Sequence, residues 1–303
     1  MTWLWIPITL AAALLQTARN TVQRGLIKTA GTLGATLVRF LYGLPFAAAW
    51  LVILHHTWPQ PGDAVISAPF LMWIFLGALA QLFATALLLL AMQSGTFAVA
   101  TAFVKTEVLQ VALFAFVLIG EKLGPGSITA IALSVAGVML MSYKPGLVDE
   151  SGNKRSAWWS ATAFYGIGAG GLFALSAVGY RGAALLQTNW SPFYSGAYNL
   201  VWAQAIQTVL LGGWLLARDR PALLAAMREW RLSLAAGALG ATSSIGWFTA
   251  FAMRSAADVR ALSLIEVLFG YLVSHRLKEK TERREVFGMV LLVLGLVVLV
   301  LSA

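Results

Sequence analysis

The chain contains no cysteine and has few charged residues. Without cysteine there can be no disulfide bond and no thiolate-bound metal. Charged residues make up 11% of the 303 positions, against about a quarter in a soluble domain. Hydrophobic residues make up 59%, and the mean hydropathy is +0.79. This composition excludes an ordinary soluble protein and predicts an all-α integral membrane protein.

Acidic residues are scarcer than basic ones, 12 against 21, which gives a net charge of +9. Most Lys and Arg residues lie in short segments between apolar runs, so we expect membrane lipids as partners and no nucleic acid. The sequence also lacks a Walker motif, an H-E-x-x-H zinc motif and a G-x-S-x-G nucleophile. We therefore expect no enzyme activity, no cofactor and no bound metal.

Apolar runs dominate the sequence, and each is long enough to span a bilayer, which takes about 20 residues. Only short segments separate them, so no soluble domain is expected. The ten runs cover residues 3–22, 31–54, 68–92, 97–118, 124–143, 157–180, 190–217, 231–253, 256–275 and 284–302.

The two halves of the sequence resemble each other. The segment that begins at Gly77 is similar to the one that begins at Gly237, and Glu107 then aligns with Glu266. Earlier in each half, Arg24-Gly25 aligns with Arg181-Gly182, and the offset stays between 157 and 160 residues over most of each half. A nearly constant offset is difficult to obtain by chance, so the sequence predicts an internal repeat.

The repeat predicts the domain organisation. Residues 1–143 form the first five-helix repeat, residues 144–157 connect the repeats, and residues 158–303 form the second. Because five is odd, the second repeat enters the membrane from the opposite side. Inverted repeats of this kind, arranged around a central cavity, are typical of secondary transporters.

Lys and Arg are distributed unevenly between the two sides of the predicted helices. The connections after helices 1, 5, 7 and 9 hold 15 of them, and the opposite side holds 3. The positive-inside rule then places both termini outside the cytoplasm. Counting Arg19 with the first helix instead of its loop does not change this result.

The stretch FVKTEVLQVALF places Lys105 and Glu107 within an apolar run. Glu107 lies about ten residues into that run, roughly 15 Å deep and near the bilayer midplane, and Glu266 is predicted to lie equally deep. Charged residues at this depth usually face a protein interior or a water-filled cavity. Two residues apart on a helix, Lys105 and Glu107 point about 200° apart, so each needs a partner elsewhere.

Other polar side chains within the runs complete a candidate site for substrate binding or coupling. Together with the three charged residues above, it contains Gln110, Arg39, Gln16, Gln81, Tyr165, Ser243 and Trp247. Arg260 is also polar and within a run, but the sequence assigns it no role.

The structural alternative is that the charged residues form internal ion pairs and the others form hydrogen bonds between helices. We favour this alternative for Arg39, which lies among large apolar residues. The GIGAGG stretch at 166–171 allows close helix packing, with a gating hinge or a dimer face as the alternative.

These features together resemble the drug/metabolite transporter superfamily, and its EamA-type branch in particular. The resemblance rests on Glu107 at mid-helix, on the Gly120-Glu121-Lys122-Leu123 tetrapeptide and on Gly137 in the last helix of the repeat. The second half departs from it, because SHRLKEK has no glycine before Glu279. The resemblance implies a basket of helices around a cavity, and both termini in the cytoplasm, against the charge count.

We therefore expect a secondary transporter of the inner membrane that exports amino acids or similar small metabolites by alternating access. Glu107 and Glu266 would bind an ammonium group or a proton, while Lys105 or Arg39 would attract a carboxylate. Protons are a candidate coupling ion, and the protein is either a monomer or a weak homodimer. The alternatives are a multidrug exporter of the same fold for lipophilic cations, a channel, or a membrane partner that transports nothing.

Overall fold

The computed structural model describes residues 3–58, 60, 66–94, 100, 103–142, 161–268 and 283–302. Every regular element among these residues is an α-helix, which confirms the all-α prediction. The connection predicted at 144–157 lies outside the described residues. The helices are α1 (Trp5–Leu41), α2 (Leu44–Thr57), α3 (Ala68–Gln93), α4 (Glu107–Ile119), α5 (Pro125–Ser142), α6 (Ala161–Leu185), α7 (Pro192–Arg218), α8 (Arg220–Arg228), α9 (Trp230–Met253), α10 (Ala256–Ser263) and α11 (Arg283–Leu301).

Five helical segments of the described chain are long and apolar enough to cross a membrane. They are Thr29–Thr57, Ala68–Met92, Ala161–Leu185, Pro192–Arg218 and Trp230–Met253. Three shorter apolar helices accompany them, at Glu107–Ile119, Pro125–Met141 and Val286–Leu301. The ten-helix count and the inverted repeat stay predictions.

The first predicted loop differs from the structure. Helix α1 continues through residues 23–30 and is interrupted only at Gly31, where φ is +64°. A left-handed φ is costly for residues with a Cβ, so a glycine here lets the chain change direction within one residue. Arg19 consequently lies inside a helix and is only 5% exposed. Arg24 and Lys28 lie in the same helix, so none of the three counts as a loop charge. The 12 basic residues of the other three connections still outnumber the 3 on the opposite side.

Helix ends elsewhere follow local sequence signals. Ser191 caps α7 by accepting a hydrogen bond from the backbone N–H of Tyr194, and Pro192 opens the helix. Asp219 caps α8 in the same way through Ala222. Gly120 ends α4 in the left-handed conformation, with φ at +69°.

The chain divides into two compact units, and each draws on both predicted halves. Unit 1 contains Met1–Leu82 and Ser176–Ser255. Its main packing joins α1 to α9, where small residues allow close approach. A Cβ on Gly246 would lie 2.8 Å from the Cβ of Ala12, and the Ser243 hydroxyl donates a 2.9 Å hydrogen bond to the Ala12 carbonyl.

Unit 2 contains Phe83–Leu175 and Ala256–Ala303. Its main packing joins α5 to α11 at two facing glycines. A Cβ on Gly288 would lie 2.7 Å from the Gly137 carbonyl oxygen, so the backbones themselves are in contact. Helix α4 packs against α10 in the same unit, and this second pair of helices carries the charged residues described next.

Candidate functional site

The helix that carries Lys105 and Glu107 is interrupted at these residues. Phe103 and Val104 are helical, Lys105 and Thr106 form a turn, and α4 begins at Glu107. The N–H of Thr106 bonds to the Phe103 carbonyl at 3.2 Å, a three-residue spacing. Within the described chain Glu107 therefore opens a helix, after a turn that the sequence did not predict.

The second carboxylate also follows an interruption. Helix α10 ends at Ser263, Leu264 forms a turn, and residues 265–268 are helical again. The N–H of Leu264 bonds to the Ala261 carbonyl at 3.1 Å, and that of Val267 bonds to the Leu264 carbonyl at 3.0 Å. Interrupted helices are the elements from which transporters build binding sites, because their backbone ends can face a solute.

The glycines of the GIGAGG stretch lie directly against the first interruption. A Cβ on Gly166 would lie 2.6 Å from the Cβ of Phe103, and a Cβ on Gly170 would lie 2.9 Å from the Val104 carbonyl oxygen. On Gly171 it would lie 2.5 Å from the side-chain oxygen of Gln110. The glycine-rich stretch of α6 therefore packs closely against the turn, as the helix-packing interpretation of this stretch predicted.

Gln110 holds the turn in place. Its amide nitrogen donates to the Thr106 hydroxyl at 2.9 Å and to the Ile167 carbonyl of α6 at 3.2 Å. The Thr106 hydroxyl in turn donates to the Phe103 carbonyl at 2.6 Å. Gln110 therefore connects the turn to the glycine-rich part of α6. By holding this turn, it helps to position Lys105 and Glu107.

Two ion pairs connect the interrupted helices. Nζ of Lys105 lies 3.5 Å from Oε2 of Glu266, and Nε of Arg260 lies 2.9 Å from Oε1 of Glu107. The Arg260 N–H is not aligned for a hydrogen bond to this oxygen, so distance alone defines that pair. Each carboxylate is thus paired with a cation from the other helix, and we call these four residues the charge cluster.

The charge cluster is largely shielded from solvent. The side chains of Arg260 and Glu107 are 14% and 11% exposed, and those of Lys105 and Glu266 are 20% and 17% exposed. Glu107 also interacts electrostatically with Lys105 and Glu266, so the four charges act on one another as one group. Ion pairs at this depth are a poor source of stability, because desolvation offsets most of their attraction.

Unit 1 holds a second buried polar group that carries no charge. The Gln207 amide donates to the Gln81 side-chain oxygen at 2.6 Å and to the Tyr180 hydroxyl at 3.2 Å. The Tyr180 hydroxyl donates to the same Gln81 oxygen at 3.0 Å. We call these three residues the amide network, and it includes one residue of the predicted site, Gln81.

The remaining residues of the predicted site lie elsewhere in their units. Gln16 accepts a 3.2 Å hydrogen bond from the Trp247 indole along the α1–α9 contact, next to Ser243. Arg39 lies in α1, with its guanidinium 5.4 Å from the ring centre of Phe40. Tyr165 lies on α6 in unit 2 and contacts the Phe164 ring.

The charge cluster contains one residue to which the sequence assigned no role. Arg260 was visible as a polar residue within an apolar run, but its partner depends on how α10 packs against α4. The repeat could not reveal it, because the residue aligned with Arg260 at the offset of 159 is Thr101. The repeat relates the two carboxylates and does not relate the two cations.

Comparisons with known proteins bear on the family and on the fold. Residues 3–143 match the model of the EamA-like transporter family. No curated protein matches the sequence. Among solved structures 29 chains match, and one of them, described only as a crystal structure of a protein, has a TM-score of 0.64 and 17% identity. The match covers 99% of this chain and 97% of that one, and at this identity it shows the fold alone.

Proposed function

We propose, from the premise that residues 3–143 belong to the EamA-like transporter family of the drug/metabolite transporter superfamily, that this protein exports amino acids or similar small metabolites across the inner membrane. The match to this family supports membrane transport as the activity of the chain. The observation that supports the finer proposal is the charge cluster, with its two crossed ion pairs in a membrane protein. The cluster is where we place substrate binding.

The composition of the cluster favours a zwitterionic substrate. An amino acid carries an ammonium and a carboxylate, so it can replace both partners of a pair: its ammonium takes a glutamate and its carboxylate takes Lys105 or Arg260. Every charge then keeps a partner, which matters because an unpaired charge is costly at low dielectric. A lipophilic cation would pair only with the glutamates. Lys105 and Arg260 would then lose their carboxylate partners.

The interrupted helices supply the expected conformational change. At both turns the backbone forms three-residue hydrogen bonds, from Thr106 to Phe103 and from Leu264 to Ala261. The helices are therefore irregular there, and the segments on either side can reorient at lower cost. Exchange of a crossed ion pair for substrate would couple binding to this reorientation. Alternating access then follows from two arrangements of the same helices around one site.

Counterflow in proteoliposomes tests the proposal. Vesicles are loaded with an unlabelled neutral amino acid, and uptake of the labelled compound is followed against protein-free vesicles. We expect saturable accumulation that Glu107→Gln abolishes. As a matched control, Glu229→Gln removes an acidic residue at the C-terminal end of α8 and should leave uptake unchanged.

The same assay separates the alternatives. Accumulation of lipophilic cations without amino-acid uptake would indicate a multidrug exporter, and flux without saturation would indicate a channel. Uptake that survives the double change Lys105→Met/Glu266→Met would reduce that pair to a structural role and contradict the proposed site.

Orientation can be tested separately, because the chain contains no cysteine. Ser302→Cys introduces a single exposed thiol at the C-terminal end. In our proposal, which follows the charge count, both termini lie outside the cytoplasm, so a membrane-impermeant maleimide should label this thiol in cells whose outer membrane has been permeabilised. Labelling only after the inner membrane is opened would reverse the orientation.

A further inference from the structure

Helix α8 of unit 1 connects two segments that are long and apolar enough to cross a membrane, Pro192–Arg218 and Trp230–Met253. When both segments cross, the short connection between them lies at a membrane surface. Trp214 and Trp230 are exposed on either side of α8. Tryptophan is enriched where membrane meets water, so these residues fit a position of α8 at the level of the lipid headgroups.

One face of α8 packs against α1. Ala226 is buried in a cluster with Leu26 and Ala30. A Cβ on Gly34 would lie 3.0 Å from the carbonyl oxygen of Ala222, so the two helices are in close contact. This contact fixes which side chains of α8 point away from α1.

The opposite face of α8 is basic and apolar. Arg220, Leu224 and Arg228 follow one another at four-residue spacing, so they share one face of the helix, and all three are exposed. We call these three residues the outer face of α8. Nε of Arg220 donates a 2.9 Å hydrogen bond to the carbonyl of Leu216, at the end of α7.

An open cleft of about 330 Å³ lies next to the outer face. It is lined by Thr29 of α1 and by Pro221, Leu224, Ala225, Arg228 and Glu229. The lining is therefore largely apolar, with a guanidinium group at one position and a carboxylate at another. An apolar surface next to a cation matches a phospholipid, in which acyl chains adjoin an anionic phosphate.

The charge of the connection favours an anionic partner. Residues 218–231 contain four arginines and two carboxylates. One of the carboxylates, Asp219, accepts a 3.2 Å hydrogen bond from the N–H of Ala222 as the cap of α8. Our proposed orientation places this connection in the cytoplasm, where the membrane surface is negatively charged.

We propose that the outer face of α8 and the adjacent cleft bind anionic phospholipid. The guanidinium groups of Arg220 and Arg228 pair with lipid phosphates, while Leu224 and the cleft contact the upper part of an acyl chain. Eight residues separate the two arginines, about 12 Å along the helix, so each can pair with the phosphate of a different lipid. The inference concerns lipid binding and does not depend on what the protein transports.

Fluorescence quenching at α8 tests this surface. Because the chain contains no cysteine, Leu224→Cys provides a single thiol for a fluorophore at the centre of the outer face. The labelled full-length protein is placed in nanodiscs of phosphatidylcholine. These contain a small, equal fraction of either phosphatidylglycerol or phosphatidylcholine that carries a spin label near the top of the acyl chain.

We expect the anionic lipid to quench the fluorophore with a relative affinity about fivefold higher than that of the zwitterionic lipid, since this is the effect of one basic residue near a charged membrane surface. Arg220→Gln and Arg228→Gln should each reduce the preference, and the double change should remove it. High salt should weaken it, because salt screens exposed charges.

Three further variants serve as controls. Met227→Cys, also exposed on α8, moves the fluorophore and leaves the outer face intact, so the preference should remain. Lys122→Gln removes an exposed basic residue outside α8 and should preserve it. A fluorophore on Val117→Cys, exposed near the end of α4, should be quenched equally by the two lipids.

Four results would overturn the proposal. They are equal quenching by the two lipids at α8, no quenching by either, a preference that survives the double change, and displacement of the anionic lipid by inorganic phosphate at constant ionic strength. The last result would indicate a site for the free anion. Because the measurement involves no transport, a failed counterflow experiment leaves this inference standing, and the reverse also holds.

Discussion

The charge cluster of unit 2 and the amide network of unit 1 satisfy buried polar groups in different ways. In the amide network, each of the three side chains takes part in hydrogen bonds of 2.6 to 3.2 Å, and all three residues are buried and neutral. In the charge cluster, the contacts are ion pairs of 2.9 and 3.5 Å between partly shielded groups.

In our proposal, this difference separates polar groups that stabilise the fold from polar groups that bind substrate. A satisfied neutral network rigidifies the helices that carry it and offers a solute little to replace. An ion pair in a shielded site adds little net free energy to folding, but removing one of its partners destabilises the protein strongly. A charged solute can take the place of that partner, so of these two groups the charge cluster is the one to which our proposal assigns substrate.

The largest effect is expected at the shorter ion pair. Glu107→Gln or Arg260→Met alone leaves the other charge shielded and unpaired, which should lower the free energy of unfolding by about 3–5 kcal/mol. The double change Glu107→Met/Arg260→Met should recover most of this loss, because no charge is then left buried. Tryptophan fluorescence during denaturation in detergent measures both.

Transport should behave differently from stability in this series. The double variant should remain without counterflow although its stability returns. If it transports as well as the parent protein, this pair is structural and the contrast between the two regions disappears.

An intermediate effect is expected at the longer ion pair. Lys105 and Glu266 are 3.5 Å apart and more exposed than the other pair, so Lys105→Met should lower the free energy of unfolding by about 1–3 kcal/mol. The affinity for the substrate should fall, because a carboxylate loses one of its two candidate partners. Competition of unlabelled substrate in counterflow measures this affinity. If Lys105→Met and Glu107→Gln lower the free energy of unfolding equally, distance and exposure do not determine the contribution of the two ion pairs.

The smallest effect on transport is expected in the amide network. Gln207→Leu removes the donor of two hydrogen bonds to Gln81 and Tyr180 and should lower the free energy of unfolding by about 1–2 kcal/mol. Counterflow by the folded protein should change by less than about twofold, because Gln207 is not among the residues that we propose to bind substrate. A loss of transport as large as that of Glu107→Gln would place substrate at the amide network and remove the distinction drawn above.

The fold was largely predictable from hydrophobic runs, and the family match confirms the resemblance to EamA-type transporters. Segments such as Pro192–Arg218 and Trp230–Met253 follow the predicted runs within a few residues. Periodicity could not reveal the interruptions. Residues 103–107 read as a continuous helix, and the turn there depends on Gln110 and on the close packing of α6 glycines, which come from elsewhere in the chain.

The charge cluster was predictable in part. Glu107 and Glu266 were selected because the sequence repeat aligns them, and the structure places both in the charge cluster. The pairing was not predictable, because Arg260 and Lys105 occupy positions that the repeat does not relate, and contact between them and the carboxylates depends on the packing of α4 against α10. Gln16, Ser243 and Trp247 were assigned to the same site, but they lie along the α1–α9 contact of unit 1.

The balance of signs in the charge cluster has a consequence for the membrane potential. With all four groups ionised, two positive and two negative charges sum to zero. A potential of 100 mV does about 2.3 kcal/mol of work on each elementary charge that crosses it, but it does no net work on a neutral group that moves as a whole. A zwitterion bound there preserves this neutrality. Reorientation of the loaded and of the empty site should therefore carry no electric current, and the direction of transport would depend on solute gradients and not on voltage.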